Sequence, residues 1–271
     1  MPHVIGEVME TVRSADGTPI AYDQAGHGPA LIVVDGALST RSGGTKPQLA
    51  GLLAARFTVL TYDRRGRGDS GDTQPYAVER EIEDIEALLD RVGRSGYLYG
   101  HSSGGCLALD AALRLGPKVG KLAIYEAPYN DDPGHQPVWT EYLQQLAAAL
   151  ADNRRGDAVA LFMRLVGMPA EQVDAMRQAP FWPSMEAIAP TLAYDHAGVM
   201  GPDQSVPVQR AAQVDVPALV MYGTASPVFM AETATTLSKA IPHAELRALD
   251  GQDHNVDPAM LAPVLTAFLS A

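Results

Sequence analysis

Tyr97-Leu98-Tyr99-Gly100-His101-Ser102-Ser103-Gly104-Gly105 is the stretch on which the reading of the whole chain turns. A short apolar run meets a Gly-x-Ser-x-Gly turn. A helical pattern follows, with Cys106, Leu107, Leu109, Ala112 and Leu113 on its apolar side. This is the strand–turn–helix setting of a nucleophile elbow. Glycines at 100 and 104 permit the close backbone approach that a sharp turn needs. Such a turn lifts the Ser102 hydroxyl clear of its own backbone. The helix starts directly after it, so unpaired N–H groups would point at an oxyanion formed there. The plainer alternative is a glycine-rich turn in which Ser102 merely caps a helix.

Strand and helix alternate outward from this point. Residues 8–13 and 19–23 flank Asp16-Gly17, a hairpin signal. Residues 31–34 form a continuous apolar run, expected of a strand buried on both faces, and end at Asp35-Gly36-Ala37. A helix over 47–55, a strand over 57–62 and an amphipathic helix over 79–92 follow; Ile82, Ile85, Leu88, Leu89 and Val92 share one face of that helix. After the elbow helix, residues 121–125 read as a strand ending at Glu126-Ala127-Pro128. From 129 to 213 the pattern is helical segments broken by prolines, with Trp139, Tyr142, Phe162, Met163, Phe181, Trp182, Met185 and Tyr194 gathered there. Strands over 218–222 and 245–249, separated by a helix over 230–240, restore the alternation. A loop over 250–257 leads into a last helix. The expected architecture is an α/β fold: a mostly parallel sheet covered by helices. A core of residues 1–128 and 214–271 would be interrupted by a helical cap over 129–213.

The totals set limits. A chain of 271 residues holds one α/β domain with an insertion, or two small domains. A net charge of −12 disfavours nucleic acid and anionic membrane surfaces as partners. The single cysteine, Cys106, excludes an internal disulfide and cysteine-clustered metal sites, and suits a reducing compartment. Residues 1–10 carry acidic residues and no apolar core of signal-peptide length. No run approaches the roughly 20 apolar residues of a membrane span. The expectation is a soluble cytoplasmic protein, with a homodimer left open.

Gly66-Arg67-Gly68-Asp69-Ser70-Gly71 matches G-x-G-x-x-G after a strand. A dinucleotide fingerprint must open directly into the helix that receives the pyrophosphate. Here Asp72 to Pro75 intervene, and Asp63 and Asp69 would repel phosphate. The expectation is instead a structural loop, with Arg64, Arg65 and Arg67 paired to nearby carboxylates.

A serine nucleophile needs a base within hydrogen-bond reach, and the base needs an orienting acid. Of seven histidines, His3, His27 and His135 sit in a terminus or loops, His196 in the insertion and His243 before a strand. His101 adjoins the serine but would project away from it. His254 lies in a loop after the last strand, at the edge where strands end and C-terminal to the serine, the expected order for this arrangement.

Taken together, Asp63-Arg64-Arg65-Gly66-Arg67-Gly68-Asp69-Ser70, Gly100-His101-Ser102-Ser103-Gly104 and Gly251-Gln252-Asp253-His254 resemble three ordered signatures of the α/β-hydrolase fold superfamily. The resemblance covers essentially the whole chain. It implies an eight-stranded sheet with a cap inserted after the sixth strand. Two departures stand out. Many members carry His-Gly after the third strand, where this chain has Asp35-Gly36. The commoner triad acid follows the seventh strand, where this chain has Ser226 in Gly223-Thr224-Ala225-Ser226-Pro227. Glu126, ending the strand beside the elbow, is the substitute acid; Asp253 is the weaker candidate, since adjacent side chains diverge. Asp-Gly in the oxyanion loop, Ser-Ser in the elbow and Glu after the sixth strand resemble zearalenone lactonases.

The resemblance therefore implies a serine hydrolase for a carboxylic ester or lactone. Ser102 would attack, His254 move the proton and Glu126 orient His254. Backbone N–H groups of Ser103 and of Gly36 or Ala37 would hold the oxyanion. Neither a metal nor an organic cofactor is implied. The apolar cap points to a hydrophobic small-molecule substrate, with Trp182, Trp139, Phe162 and Met185 as candidate contacts. Two rivals stand beside this: non-hydrolytic lyase, perhydrolase or cyclase chemistry on the same fold, and a ligand-binding protein with a vestigial triad.

Overall fold

The computed structural model describes residues 10–271; His3 and residues 8 and 9 of the first expected strand lie outside the described residues. Eight strands form one sheet in the order β1-β2-β4-β3-β5-β6-β7-β8. They are β1 (Glu10–Arg13), β2 (Pro19–Ala25), β3 (Ala30–Val34), β4 (Thr58–Tyr62), β5 (Gly96–His101), β6 (Val119–Tyr125), β7 (Ala218–Gly223) and β8 (Ala244–Leu249). β1 and β2 form the antiparallel hairpin, and β2 pairs antiparallel with β4. Every later pairing is parallel. The apolar runs behave as central parallel strands should: all five residues of β3 are buried.

Helices cover both faces. Leu49, Ala50 and Leu53 of α1 (Lys46–Leu53) and Leu261, Leu265 and Leu269 of α10 (Pro258–Ser270) pack on one face, with Leu31, Val33, Val59 and Leu219. Ile82, Ile85, Leu88 and Leu89 of α2 (Val78–Val92), the core of α3 (Ser103–Leu115) and Ala234 and Leu237 of α9 (Val228–Ala240) pack on the other. The buried side of α2 also carries Glu81 and Asp84, three residues apart and so on one helical face. They meet the arginines of the 64–67 loop. Arg64 donates to both oxygens of Glu81, each at 2.6 Å, and Arg65 to both of Asp84, at 2.9 and 2.7 Å. Residues 66–71 form a loop and α2 begins only at Val78, so no helix opens directly from the G-x-G-x-x-G match.

Between β6 and β7 the chain is helical: α4 (His135–Ala151), α5 (Arg155–Leu165), α6 (Ala170–Met176), α7 (Trp182–Ile188) and α8 (Val208–Ala211), with a π-helical segment at Tyr194–Val199 before the last. An aromatic nest forms its interior. The His196 ring sits 5.6 Å from Trp139, 5.3 Å from Tyr142 and 5.2 Å from Phe162. The Tyr142 hydroxyl meets His196 Nδ1 at 2.7 Å.

His196 is buried. Burial, with Arg67 and Arg64 nearby, pushes its pKa down from 6.5 to about 4 against the pull of the neighbouring Asp195. The imidazole is therefore neutral in the fold. An unfolded chain takes up a proton on this residue near pH 6.5, whereas the folded chain does so only near 4. Stability supplied by the neutral ring is complete above pH 6.5 and is lost as pH falls through that window. The expected loss is roughly 3 kcal/mol. Urea unfolding at stepped pH should show a steeper acid loss for the wild type than for His196→Gln; parallel curves would remove His196 from the account.

Candidate active site

Ser102 stands at the junction of β5 and α3 with φ +57°, the left-handed region that a serine rarely enters. Two hydrogen bonds hold it there: Ser102 N–H to Tyr125 O at 3.0 Å and Gly105 N–H to Ser102 O at 2.8 Å. The turn depends on glycine at two close approaches. A Cβ at Gly104 would stand 2.2 Å from the Val34 carbonyl oxygen, and one at Gly36 2.8 Å from Ser102 Cβ. The β3 loop and the elbow thus touch backbone to backbone.

Glu126 follows β6 on the adjoining strand, also at positive φ, +50°. Its N–H still continues the sheet, donating to Met221 O at 3.0 Å. Its carboxylate is buried and doubly engaged. Gly223 N–H donates to Oε1 at 2.8 Å, and His254 Nδ1 lies 2.8 Å from Oε2. Burial alone would raise the pKa of this carboxyl. The bonds from His254 and Gly223, with the Ser226 hydroxyl close by, outweigh it and hold Glu126 below its usual range. An ionised carboxylate only accepts, so His254 carries its proton on Nδ1 and keeps Nε2 as the basic nitrogen. Ser226 Oγ is buried beside the same carboxylate but makes no hydrogen bond of good geometry. The Asp253 carboxylate turns away and accepts Asn255 N–H at 2.8 Å.

The His254 loop is pinned through its carbonyls. The Tyr125 hydroxyl donates to Asp253 O at 2.6 Å, and His101 Nε2–H to His254 O at 2.9 Å. The His101 and His254 rings lie 4.8 Å apart. Among the described residues no hydrogen bond joins His254 to the Ser102 hydroxyl. Bonds of that kind commonly tighten only when substrate binds.

The oxyanion candidates separate on their hydrogen bonds. Gly36 N–H donates to the Asp35 carboxylate of its own loop at 2.8 Å. Asp35 also takes the Ser39 hydroxyl at 2.6 Å and pairs with Lys46. Burial works against that carboxylate, yet His101 and Lys46 keep it well below the ordinary range. Gly36 N–H is thus engaged, which leaves Ala37 N–H as the remaining candidate from this loop. Ser103 N–H opens α3 and has no partner four residues back.

Bonded to Gly36 and Ser103 is a cluster that sequence reasoning reached only in half. Arg67 donates to Gly36 O at 2.6 Å and to Thr191 Oγ1 at 3.1 Å, and pairs with Asp195. Arg64 pairs with the other Asp195 oxygen and reaches Asp35 O at 3.2 Å. The Ser103 hydroxyl donates to Asp195 at 2.7 Å. The arginines were legible as paired; Asp195, in the π-helical segment, carried no local signal. His101, expected to project away from Ser102, packs beside the His254 ring.

The candidate substrate contacts lie in the insertion. The Trp139 indole N–H donates to Gly201 O at 3.2 Å. The Trp182 indole donates to Glu186 at 2.9 Å beside Gly156, with Arg177 over its ring. Both tryptophans are buried, while Phe162 and Met185 are half-buried. Among the described residues no group of three or more His, Cys, Asp or Glu side chains is arranged to hold a metal ion, and no helix is long and apolar enough to cross a membrane.

Comparison with known proteins agrees with this geometry. Among curated proteins, the uncharacterized hydrolase YraK of Bacillus subtilis (strain 168) is 29% identical over 164 residues, covering 55% of this chain and 55% of that protein. The chain thus aligns with about half the length of that relative. Among solved structures, an alpha/beta hydrolase from Sphaerobacter thermophilus DSM 20745 is 51% identical with a TM-score of 0.86, covering 96% of this chain and 99% of that one. An enol-lactonase from Burkholderia xenovorans LB400 is 21% identical with a TM-score of 0.69 over 97% of this chain and 100% of its own, a likeness of fold alone. A family model described as the alpha/beta hydrolase family matches residues 42–267. With that match over most of its length, an eight-stranded sheet of the expected topology and a serine on the β5–α3 turn, the chain belongs to the alpha/beta hydrolase family.

Proposed function

We propose that the chain is a serine hydrolase that cleaves a carboxylic ester or lactone of a hydrophobic small molecule through an acyl-enzyme. The observation that carries this reading is the 2.8 Å contact between His254 Nδ1 and the buried Glu126 carboxylate. It lies at the sheet edge on which the Ser102 turn stands. Ser102 Oγ attacks the carbonyl carbon as its proton passes to His254 Nε2. Glu126 stays ionised and stabilises the imidazolium. Negative charge on the former carbonyl oxygen is met by the N–H groups of Ser103 and Ala37. Collapse of the tetrahedral adduct breaks the bond to the alkoxy oxygen, which takes the proton from Nε2. Water then attacks the acyl-enzyme, gives its proton to Nε2, and the acid leaves as Ser102 regains its own.

Half-buried Phe162 and Met185 in the insertion support an apolar substrate. The finer reading, a lactone of zearalenone type, draws support from Asp35-Gly36, Ser102-Ser103 and Glu126. In a lactone the leaving alcohol stays tethered to the acyl group, so one product forms instead of two.

A fluorophosphonate probe should label the wild type at Ser102, and Ser102→Ala should lose both labelling and turnover while staying folded. A loss of only a few-fold would move the chemistry elsewhere, since removing a triad nucleophile typically costs several orders of magnitude. A panel of p-nitrophenyl esters and lactones would then sort substrate class. A wild type that neither labels nor turns over any of them is a binding protein.

Glu126→Gln keeps size and removes charge. Its amide would offer N–H groups where Gly223 and His254 already donate. We expect kcat to fall by about 10³–10⁴, as amide replacement of the triad acid does in serine proteases. Ser226→Ala should leave kcat within a few-fold of wild type. The opposite ranking in single-turnover assays would transfer the acid's role to the β7 loop.

A further inference from the structure

We propose that Asp195, carried by the insertion, and Arg67 are positioning residues that hold the two oxyanion donors in place, so that the catalytic hole is completed by a residue from outside the α/β core. The inference rests on the serine-hydrolase reading above and goes beyond it.

Arg67 is the first arm. Its guanidinium is buried and donates to Gly36 O at 2.6 Å. The two ends of a trans peptide point opposite ways, so anchoring that carbonyl turns the Ala37 N–H away from the guanidinium. The Asp35 carboxylate takes the Gly36 N–H of the preceding peptide at 2.8 Å, and Arg64 reaches Asp35 O at 3.2 Å. In the two peptides that join Asp35, Gly36 and Ala37, both carbonyls and the Gly36 N–H are engaged, and the Ala37 N–H is the group that remains. A guanidinium suits this task because its planar fork serves three acceptors at once: Gly36 O, Thr191 Oγ1 and Asp195.

Asp195 is the second arm. One of its oxygens takes the Ser103 hydroxyl at 2.7 Å and pairs with Arg64; the other pairs with Arg67. Ser103 supplies the other expected oxyanion N–H, from the first turn of α3. One fully buried carboxylate is thus bonded to the side chain of one donor residue and, through Arg67, to the peptide of the other. Asp195 and Thr191 both belong to the stretch between β6 and β7. The Asp195 turn is π-helical, a form that recurs at functional sites.

A purely structural role for this cluster predicts a different outcome. Arg65 with Asp84 is a buried pair of the same kind, on the same loop, with no bond to either donor peptide. The test compares Arg67→Lys and Ser103→Ala with Arg65→Lys as the control. The rate of labelling of Ser102 by a fluorophosphonate is measured, together with kcat and KM for p-nitrophenyl acetate. Removing an oxyanion donor typically costs about 10²–10³ in kcat. Displacing one should cost less, so we expect Arg67→Lys and Ser103→Ala each to slow labelling and kcat by about tenfold or more, with KM within about threefold. Arg65→Lys should lower Tm and leave the labelling rate within about threefold. Should Arg67→Lys fail to fold, Ser103→Ala, which deletes one hydroxyl and keeps the N–H, decides alone. Labelling of Ser103→Ala at the wild-type rate overturns the inference. So does an equal loss in Arg65→Lys. A wild type that is not labelled at all overturns the hydrolase reading and the inference together, whereas a labelled wild type with unaffected variants overturns the inference only.

Discussion

Two neighbouring left-handed residues set the terms for everything else at this edge of the sheet. Ser102 and Glu126, at φ +57° and +50°, leave adjacent strands one after the other. Such a conformation costs a non-glycine residue about 1–3 kcal/mol and persists only where the surroundings over-determine it. Here the surroundings are sheet hydrogen bonds. Ser102 N–H is held by Tyr125 O and Glu126 N–H by Met221 O, so each residue stays in register with the next strand while its side chain is turned out of the pleat. The strain is borne by the parallel sheet, whose central strands are buried on both faces. The result is a serine hydroxyl and a carboxylate fixed on rigid elements, with only the histidine on a loop. That loop is in turn fastened by Tyr125 and His101 through two backbone carbonyls.

Ser226 bears on why the carboxylate that meets His254 follows β6. The Ser226 hydroxyl lies beside the Glu126 carboxylate. An aspartate there would set a second buried carboxylate against the first, and two like charges at that separation cannot both stay ionised. The two acid positions exclude each other for this electrostatic reason. A small neutral side chain after β7 is the expected companion of a glutamate after β6.

The fold was legible because its signals are local. Apolar runs of strand length, an amphipathic helix with one apolar face and a proline-broken stretch between 129 and 213 each announce themselves within their own residues. The Gly-x-Ser-x-Gly turn and the loop histidine read equally well. Glu126 was named through the resemblance, since Ser226 stands where the commoner acid would; the structure puts its carboxylate 2.8 Å from His254 Nδ1. What could not be read depends on partners far apart in sequence. Asp195 meets Ser103 across 92 residues and Arg67 across 128, and nothing around it marks it. Between Gly36 and Ala37 the sequence could not show that the Asp35 carboxylate folds back one residue to engage the Gly36 N–H. His101 was expected to project away from Ser102; what the sequence did not show is that the curl of the 250–257 loop brings the His254 carbonyl to its ring.

The buried charges of the 64–67 loop are a costly way to obtain stability. Each ion taken from water loses several kcal/mol of hydration, and well-packed apolar side chains often serve stability equally well in its place. What apolar groups cannot do is fix the direction of a peptide. Arg64 and Arg67 are met by Glu81 and Asp195, so the cluster is balanced in charge. Burial works against the Asp195 carboxyl, yet the two guanidinium groups hold it below its ordinary range. In a low-dielectric interior every bond of such a network is strong, and its geometry is correspondingly hard to deform. Oxyanion stabilisation depends on donors already aimed before charge develops, with no reorganisation left to do. A rigid ionic frame under the Gly36 and Ser103 positions meets that requirement. It also links the core to the insertion through the same few atoms, so that the seating of Asp195 and the aim of the donors are set together.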